Sequence, residues 1–457
     1  MPGKPNNKQR TAIVYFGPER TDYLKLAEAE ARSEFLEYIQ TPLQAQLGAE
    51  LHKETCRALS RYTGHGRRMR RLQGWVGEAQ EIPIHRVRCC ECRAVFTVLP
   101  SFIMRYRRQD TDCLEKLLRL SLAMHLSQRH TALVYTWGGA ERAWGPTWMW
   151  NLVQWLGNLM PVAWLLMRLG LTPPRHVLSD EKFAVLDGER IYLFLVSQGE
   201  LIWHAEWLDN LDETAFEPAI ERFLTQIEQA AQQQQLLASE QSYQPETMNT
   251  DGWKAAQNAW KQKVPQGNLL ECLLHGRKRV DVTLDTYAQA HPELNESERD
   301  HLKEKFDHVF AAPSLAAYSQ RLRRLREALG DDPILAQRLD ILQDKRFLFT
   351  NYLKFPEASA FSSPIDRSMR FLDEKLQTFG QFRVSKTINT TLNAWAIVNN
   401  LRPFLPDAKK AGQSLAATFG AKLKGIPWME ALNICTVGVL DTLIPSPGTL
   451  KISDTNF

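Results

Sequence analysis

The spacing of hydrophobic residues changes period along the chain, and the changes predict where helices give way to strands. Residues 11–16 (TAIVYF) form a short strand pattern, and residues 22–40 follow with a helical period. Residues 51–108 are arginine-rich and interrupted by glycines, which is typical of short strands. Residues 109–172 return to a helical period and contain three helix candidates separated by glycine-rich breaks.

From about residue 174 the pattern becomes that of a mixed sheet. Three alternating segments at 177–186, 190–198 and 201–208 are separated by tight turns that contain Gly188 and Gly199. The pattern then predicts a helix at 212–235, a strand at 246–251, a helix at 252–263 and a strand at 268–279. Three antiparallel strands followed by helix, strand, helix and strand is the order of an RNase H-like α/β/α core.

We therefore predict a multidomain α+β protein. A charged helical insertion at about 281–350 interrupts the core, and a further helix begins near Ser363. The predicted domains are an N-terminal strand and helix segment (1–50), a basic domain (51–108), a helical domain (109–172), an RNase H-like catalytic domain (173–405) and a tail of unknown role (406–457).

Three acidic residues occupy the positions at which an RNase H-like core carries its metal ligands. Asp180 lies in the first strand, Asp251 ends the fourth, and Asp366 begins the later helix. Carboxylates that are distant in sequence but converge in space hold two Mg²⁺ or Mn²⁺ ions about 4 Å apart in two-metal phosphodiester chemistry. Each acid alone also fits a strand end, a helix cap or a first helical turn. Their joint placement predicts a catalytic metal site, although Glu181 beside Asp180 complicates the first assignment.

The distribution of charge adds nucleic acid as a partner. The net charge is only +4, but residues 57–108 contain twelve Arg, no Lys and three Glu, a local balance of +9. Guanidinium groups match phosphate oxygens in pairs, whereas a solvated basic face is the alternative. The candidate phosphate-binding residues are Arg67, Arg68, Arg70 and Arg71.

The three helices of residues 110–160 fit a helix-turn-helix, with residues 147–160 as the recognition helix. Its candidates for contacts with bases are Thr147, Asn151 and Gln154. The tryptophans of this helix, Trp148, Trp150 and Trp155, are expected in the core.

Seven cysteines in 457 residues do not suggest a secreted disulfide framework. The crowding of Cys89, Cys90 and Cys92 favours metal binding in a reducing compartment. Residues 1–16 lack the apolar core of a signal peptide, and the apolar stretch 155–171 carries Arg168 and resembles a buried helix. We therefore expect a cytoplasmic protein that has no membrane partner and is nucleoid-associated when bound to DNA.

A more specific resemblance lies in SSPIDRSMRFLDEKLQTFGQFRVSKTINTTLNAWAIVNNLRPF, residues 362–404. This segment resembles the end of the catalytic domain in bacterial insertion-sequence transposases of the DDE type. The family's third acid, usually Glu, falls on Asp366, and Asp373 and Glu374 are alternatives two helical turns further on. On this helix, Arg367 and Arg370 are expected to face DNA phosphates or the solvent. Just after the fifth strand, the basic residues would contact DNA near the cut or form a surface cluster; they are His275, Arg277, Lys278 and Arg279.

The segment IPIHRVRCCECRAVFTVLPSF, residues 82–102, looks like the second half of the zinc ribbon found in front of such transposases. Cys89 and Cys92 form a CxxC half-site for tetrahedral Zn²⁺. The other half is degenerate, with Cys56 and His52 as candidates and Cys90 and His65 as further ones. The alternative is a ribbon that keeps its shape without the metal.

The resemblance implies a DNA transposase that binds the terminal repeats of its element, cleaves DNA ends and joins the freed 3′-hydroxyl to target DNA. Because two ends must be held together, a homodimer or a higher synaptic assembly is expected. Three alternatives remain: an RNase H-like nuclease without strand transfer, a transposase-derived DNA-binding regulator, and a zinc-binding scaffold whose acids are ordinary caps.

Overall fold

The computed structural model describes residues 11–16, 23–24, 27, 32–46, 61–140, 144–423 and 425–437. The chain divides into two compact units, one formed by residues 1–172 with 393–457 and the other by residues 173–392. Both units combine helices with a β-sheet, so the protein is a multidomain α/β protein. The finer division into five segments stays a prediction.

The first unit contains a four-stranded sheet. Its elements are β1 (Thr11–Val14), helix α1 (Arg32–Gln46), β2 (Tyr62–Leu72), β3 (Gln80–Cys89) and β4 (Val95–Pro100). The strand order is β1-β4-β3-β2, with β1 parallel to β4 and the other pairs antiparallel. The arginine-rich strand β2 therefore lies at an edge of the sheet.

Four helices follow the sheet. They are α2 (Thr111–Leu118), which continues into a π-helical turn at Arg119–Ala123, then α3 (Gln128–Trp137), α4 (Pro146–Gly157) and α5 (Val162–Arg168). The Asp110 carboxylate caps α2 by accepting from the backbone N–H of Cys113 at 2.7 Å. The three helices predicted for residues 110–160 are thus present.

The apolar stretch 155–171 contains the end of α4, at Gly157, and the whole of α5, which follows Pro161. One expectation for this region was wrong. The tryptophans of α4 are half-buried rather than in the core. Trp148 stacks on Tyr135 and packs against Trp144, and the Arg107 guanidinium lies over the Trp155 ring at 4.2 Å. The residues of α4 that are buried are Met149, Leu152, Val153 and Leu156.

The second unit contains a five-stranded mixed sheet. Its strands are β5 (His176–Leu186), β6 (Glu189–Gln198), β7 (Leu201–Leu208), β8 (Thr247–Thr250) and β9 (Asn268–Glu271). The order is β7-β6-β5-β8-β9, with β5, β6 and β7 antiparallel and β8 and β9 parallel to β5. Positive φ angles at Asp187 (48°) and Gly188 (88°) close the first hairpin in two residues, as the sequence predicted.

Helices surround this sheet. They are α6 (Glu213–Gln233), α7 (Lys254–Lys263), α8 (Leu273–Ala290), α9 (Glu296–Phe310), α10 (Leu315–Leu329), α11 (Pro333–Asp344) and α12 (Ser363–Phe379). Helix α7 covers one face of β5, since the Trp260 indole donates to the Ser179 hydroxyl at 2.9 Å. Helix α12 also contacts β5, and Lys182 pairs with its Asp373 at 3.2 Å. Helices α8 to α11 share a separate apolar core, so the insertion predicted from 281 begins at Leu273.

The chain then passes through α13 (Ile388–Leu401), α14 (Leu415–Thr418) and α15 (Trp428–Cys435). Every residue of α15 is buried in the first unit. The Asn433 amide donates to the carbonyls of Ser101 at 2.7 Å and Ile103 at 3.1 Å, and Ser101 donates to the Glu430 carboxylate at 2.6 Å. No helix in the described part of the chain has both the length and the hydropathy that a membrane span needs.

Candidate metal centre

The register of two parallel strands sets Asp180 beside Asp251. Strand β5 pairs with β8 up to Leu178 and Asn249, and the two acids each lie two residues further along. Side chains two residues apart point to the same face of a sheet, and neighbouring strands are about 4.8 Å apart. The two carboxylates therefore lie at the same end and on the same face of the sheet. Ser179, one residue earlier, faces α7, so Asp180 faces the opposite side.

Four carboxyl groups meet at this end of the sheet. Oxygen atoms of Asp180, Glu181 and Asp251 all lie within 4.8 Å of one another, a grouping of metal-ligand type among the described residues. Asp366, in the first turn of α12, hydrogen-bonds through its side chain to Asp180. The structure thus brings together the three acids that the sequence singled out and adds Glu181.

The competing residues for the third position lie elsewhere on α12. Asp373 forms an ion pair with Lys182, whose ammonium lies 3.2 Å from its carboxylate. Glu374 is exposed. Of the three acids, Asp366 is the one that interacts with Asp180.

Burial and the neighbouring negative charges raise the pKa of two of these acids, Asp180 and Glu181. Burial raises the pKa of Asp180 to about 7, and the nearby Asp251 and Asp366 contribute to the rise, against a stabilising hydrogen bond from the Glu181 N–H at 2.8 Å. The pKa of Glu181 is raised well above its usual range by burial and then by Asp251 and Asp180. Such crowding of negative charge is what a divalent cation neutralises.

A buried ion-pair network holds the backbone of Asp251. The Arg279 guanidinium binds both the Glu271 carboxylate and the carbonyl of Asp251. Glu271 is buried and also accepts from Lys345 at 2.7 Å and Gln257 at 3.1 Å. The Asp251 carboxylate accepts from the Trp253 N–H at 2.8 Å, but the N-cap residue of α7 is Trp253 and no side chain caps this helix, so the N-cap considered as an alternative for Asp251 is not formed.

A second group of polar side chains, Ser362, Cys272 and His275, lies next to Asp366. The Ser362 hydroxyl lies 3.2 Å from Asp366 Oδ2, 3.3 Å from the Cys272 sulfur and 3.4 Å from His275 Nδ1. Burial favours the neutral thiol, but hydrogen bonds from His275 and Ser362 outweigh it and lower the pKa of Cys272 to about 7. The bond to Cys272 raises the pKa of His275, burial opposes this, and the charges of Asp251 and Asp180 raise it further.

The donor set fits a hard divalent cation. All the grouped ligand atoms are carboxylate oxygens, which Mg²⁺ and Mn²⁺ prefer. The cluster lies where two parallel strands end. Two buried residues at the end of β9 support it: Glu271 binds Arg279, which binds the Asp251 carbonyl, and Cys272 contacts Ser362. Residues suited to hold one or two such ions are Asp180, Glu181, Asp251 and Asp366.

The basic residues predicted to contact DNA in the second unit differ in their surroundings. His275, Arg277 and Lys278 lie on α8, because the predicted strand 268–279 ends at Glu271. His275 is half-buried beside the acids, Arg277 pairs with Asp307 at 3.2 Å, and Lys278 is exposed. On α12, Arg367 forms an ion pair with Glu200, whereas Arg370 is exposed.

In the first unit, the predicted phosphate-binding residues lie on edge strand β2. Arg67, Arg68 and Arg71 are exposed there. Arg70 is half-buried and donates to the carbonyls of Met104 and Arg107, and burial lowers its pKa. Arg70 therefore connects β2 to the segment between β4 and α2.

The predicted base-contacting residues lie on α4. Thr147 and Asn151 are exposed, and Gln154 is half-buried. They succeed one another along the helix at spacings of four and three residues, so they share one face.

The cysteine turn joins β3 to β4. Cys89 is buried, Cys92 half-buried and Cys90 exposed, and the N–H of Arg93 donates to the Cys89 carbonyl at 3.1 Å. His65 lies on β2, where desolvation and the charges of Arg88 and Arg86 lower its pKa. The predicted zinc ligands His52 and Cys56 lie outside the described residues.

Three residues at the site were not assigned from sequence: Glu181, Cys272 and Ser362. Glu181 was visible only as a neighbour of Asp180. Ser362 precedes Asp366 by four residues, the spacing at which side chains meet on a helix, which is a signal that could have been used. Cys272 carried no local signal, because its partner Ser362 is 90 residues away.

Comparison with known families gives one match. Residues 54–134 match the family described as "Domain of unknown function (DUF6431)". The matched range covers β2, β3, β4, α2 and most of α3, all in the first unit, and leaves the acidic cluster outside. A comparison with curated proteins returned no match.

Proposed function

We propose that this chain is a DNA transposase of the DDE type, with Asp180, Asp251 and Asp366 as its catalytic acids. The observation that carries the proposal is the convergence of these acids from two adjacent parallel strands and a later helix. They are 71 and 115 residues apart in sequence, so local structure alone does not explain their meeting.

The order of the strands supports an RNase H-like assignment for the second unit. Three antiparallel strands are followed by two that run parallel to the first, and the first strand lies at the centre. An RNase H-like core carries its first acid on the central strand and its second at the end of the adjacent parallel strand. Asp180 and Asp251 occupy those positions.

In the proposed chemistry the acids act together as metal ligands. Asp180 and Asp251, with Glu181 and Asp366, would hold two Mg²⁺ or Mn²⁺ ions. Bound ions of this kind activate the attacking oxygen and stabilise the leaving oxygen in phosphodiester cleavage and strand transfer. The ion-paired Glu271 and Arg279 fix the Asp251 backbone, and the half-buried His275, whose pKa is raised by its hydrogen bond to Cys272, would donate to a DNA phosphate near the acids.

We further propose that the first unit binds the terminal repeats of the element. Exposed Arg67, Arg68 and Arg71 would contact phosphates, and Thr147 and Asn151 would contact bases. Zinc at a ribbon that includes Cys89 and Cys92 belongs to this proposal, as does assembly into a dimer or a higher synaptic complex.

The test is cleavage and joining of element-end DNA in the presence of Mg²⁺. Asp251→Asn keeps the shape of the side chain and removes its charge, and it should lower the rate by at least about a hundredfold. Asp373→Asn, an acid of α12 that is ion-paired with Lys182, is the matched control and should retain activity.

The products also separate the alternatives. Joined strands support a transposase, whereas cleavage without joining supports a nuclease of the same fold. Tight binding of element ends without Mg²⁺-dependent products would support the regulator. Products that persist in Asp251→Asn would overturn the assignment of the site.

A further inference from the structure

Ser362 occupies an unusual position for a helix-capping serine. It is the N-cap residue of α12, yet its side chain makes no capping hydrogen bond and its backbone is helical (φ −82°, ψ −5°). A serine at an N-cap ordinarily accepts from a backbone N–H two or three residues later. The buried Ser362 hydroxyl is directed instead at Asp366, Cys272 and His275.

The hydrogens of this group can be assigned in one consistent direction. The Ser362 N–H donates to the Cys272 sulfur at 3.1 Å, which fixes the start of α12 against the end of β9. The single Ser362 hydroxyl proton has two acceptors within reach, Asp366 Oδ2 at 3.2 Å and the Cys272 sulfur at 3.3 Å, and the carboxylate is the stronger acceptor; His275 Nδ1 then donates to the Ser362 oxygen. These hydrogen bonds therefore connect His275 on α8, through Ser362, to the Asp366 carboxylate.

Asp366 needs such a restraint more than the other acids. It lies on a helix, its side chain is one methylene shorter than Glu, and its hydrogen bond to Asp180 is lost when Asp180 ionises, after which the two charges repel. Like charges would rotate a free side chain towards solvent. A hydrogen bond from a buried hydroxyl keeps the carboxylate turned to the cluster.

We propose that Ser362 and Cys272 are positioning residues, which hold the Asp366 carboxylate in place for the divalent cation. Ser362 acts on Asp366 directly, and Cys272 acts through Ser362. This inference rests on the proposed function of the same site, because it assumes that the acidic cluster binds metal. It adds two side chains that contact neither the metal nor the DNA in the proposed mechanism.

The experiment measures Mn²⁺ binding to the full chain without DNA, by titration calorimetry and by the rise in melting temperature that saturating Mn²⁺ causes. Loss of a residue that orients a metal ligand lowers metal affinity about ten- to a hundredfold. We expect this loss in Ser362→Ala and in Cys272→Ala. Cys272→Ser retains a small acceptor for the Ser362 N–H and should recover part of the affinity.

Ser368→Ala is the matched control. Ser368 is also a buried serine of α12, but its hydroxyl donates to the backbone carbonyl of Glu200 at 2.9 Å and not to an acid. It should bind Mn²⁺ as the wild type does. Comparing metal-free melting temperatures of the variants separates a general loss of stability from a loss of metal affinity.

The outcomes distinguish this inference from the proposed function. If Ser362→Ala and Cys272→Ala both bind Mn²⁺ as tightly as Ser368→Ala, the positioning role is overturned while the metal site stands. If Ser362→Ala binds weakly but the wild type cleaves no DNA, the positioning role stands and the proposed function fails. A wild-type chain that binds no Mn²⁺ overturns both. If Ser362→Ala does not fold, Cys272→Ala against Cys272→Ser decides.

Discussion

Asp180 carries a carboxyl group whose ionisation opposes folding in the absence of metal. Its pKa is raised to about 7 in the folded chain, against 3.8 when exposed. The folded state therefore prefers the neutral acid, and stability is lost as the pH rises from about 4 through 7. Other charges facing it belong to Glu181, Asp251, Asp366 and His275.

Replacing Asp180 by Asn should remove this loss. In metal-free protein at pH 8, Asp180→Asn is expected to melt about 5 °C above the wild type, and at pH 4 the difference should vanish. Saturating Mn²⁺ should reverse the order by stabilising only the wild type. Scanning calorimetry at both pH values, with and without Mn²⁺, measures this; a wild type that melts higher at pH 8 without metal would contradict it.

Glu115, in the first unit, allows a similar prediction. It lies on α2, and burial raises its pKa to about 7, while Arg119 lowers it and Asp112 raises it. Below about pH 4 both states are protonated, and stability falls as the pH rises towards 7. Glu115→Gln should therefore gain on the order of 3 kcal/mol at pH 8 and nothing at pH 4, as measured by denaturant unfolding. Equal gains at both pH values would show that charge is not the cause.

Among single residues, the sequence predicted some contacts and not others. The convergence of Asp180, Asp251 and Asp366 was predictable because the position of each follows from the order of strands and helices. Arg70 and Arg277 were predicted to contact DNA because they are basic. In the structure, Arg70 donates to the Met104 carbonyl and Arg277 pairs with Asp307, and both partners are distant in sequence. Such partners depend on tertiary packing, which a local pattern does not contain.

Among the elements, strands that alternate in polarity were predicted best. The hairpins of β5, β6 and β7 begin and end close to their predicted bounds, because period two and turn glycines agree there. The prediction for 268–279 was wrong because a short apolar run fits strand and buried helix equally. Only Asn268–Glu271 is a strand, and α8 begins two residues later.

The turn between β8 and α7 depends on the absence of a side chain at Gly252. Its φ is 97°, and a Cβ there would lie 2.5 Å from Arg279 Nη1 and 2.6 Å from Glu271 Cδ. Gly252→Ala should therefore cost both backbone strain and displacement of the buried ion pair, about 3 kcal/mol or more.

Gly188→Ala is the matched control for this turn. Gly188 has a similar φ of 88° but nothing within 4 Å of a Cβ, so it should lose only the strain, about 1 kcal/mol. Denaturant unfolding of both variants measures the difference. Equal losses of stability would mean that the Arg279–Glu271 ion pair can be displaced without destabilising the fold.

For the molecule as a whole, the first unit is discontinuous in sequence. Residues 393–457 belong to it, and α15 is buried there although the whole of the second unit, residues 173–392, precedes α15 in the chain. No local pattern in residues 406–457 predicted this, because the buried partners of Glu430 and Asn433 are near residue 101.

A substitution at Asn433 tests the packing of α15 against the segment near residue 101. Its side chain is buried and joins two backbone carbonyls, at Ser101 and Ile103, so Asn433→Ala should destabilise the first unit by about 2–3 kcal/mol. Asn158→Ala, at an exposed amide that donates to the nearby Gln154 carbonyl of α4, should cost under about 0.5 kcal/mol. The stabilisation of the second unit by Mn²⁺ should be unchanged in both variants. Calorimetry with and without Mn²⁺ measures this, and an equal loss in both variants would contradict a structural role for α15.

The interrupted first unit has a consequence for biosynthesis. When the ribosome has made residues 1–172, the segment that supplies α15 has not been translated. The first unit therefore lacks α15 until Cys435 has been added to the chain. At elongation rates of about 5–20 residues per second this delay is on the order of tens of seconds. The second unit is contiguous and is synthesised within that interval, so it can fold while the first is still incomplete. The acidic cluster, whose last acid is Asp366, can therefore assemble before α15 packs into the first unit, and chaperones would meet an incomplete N-terminal unit until Cys435 is translated.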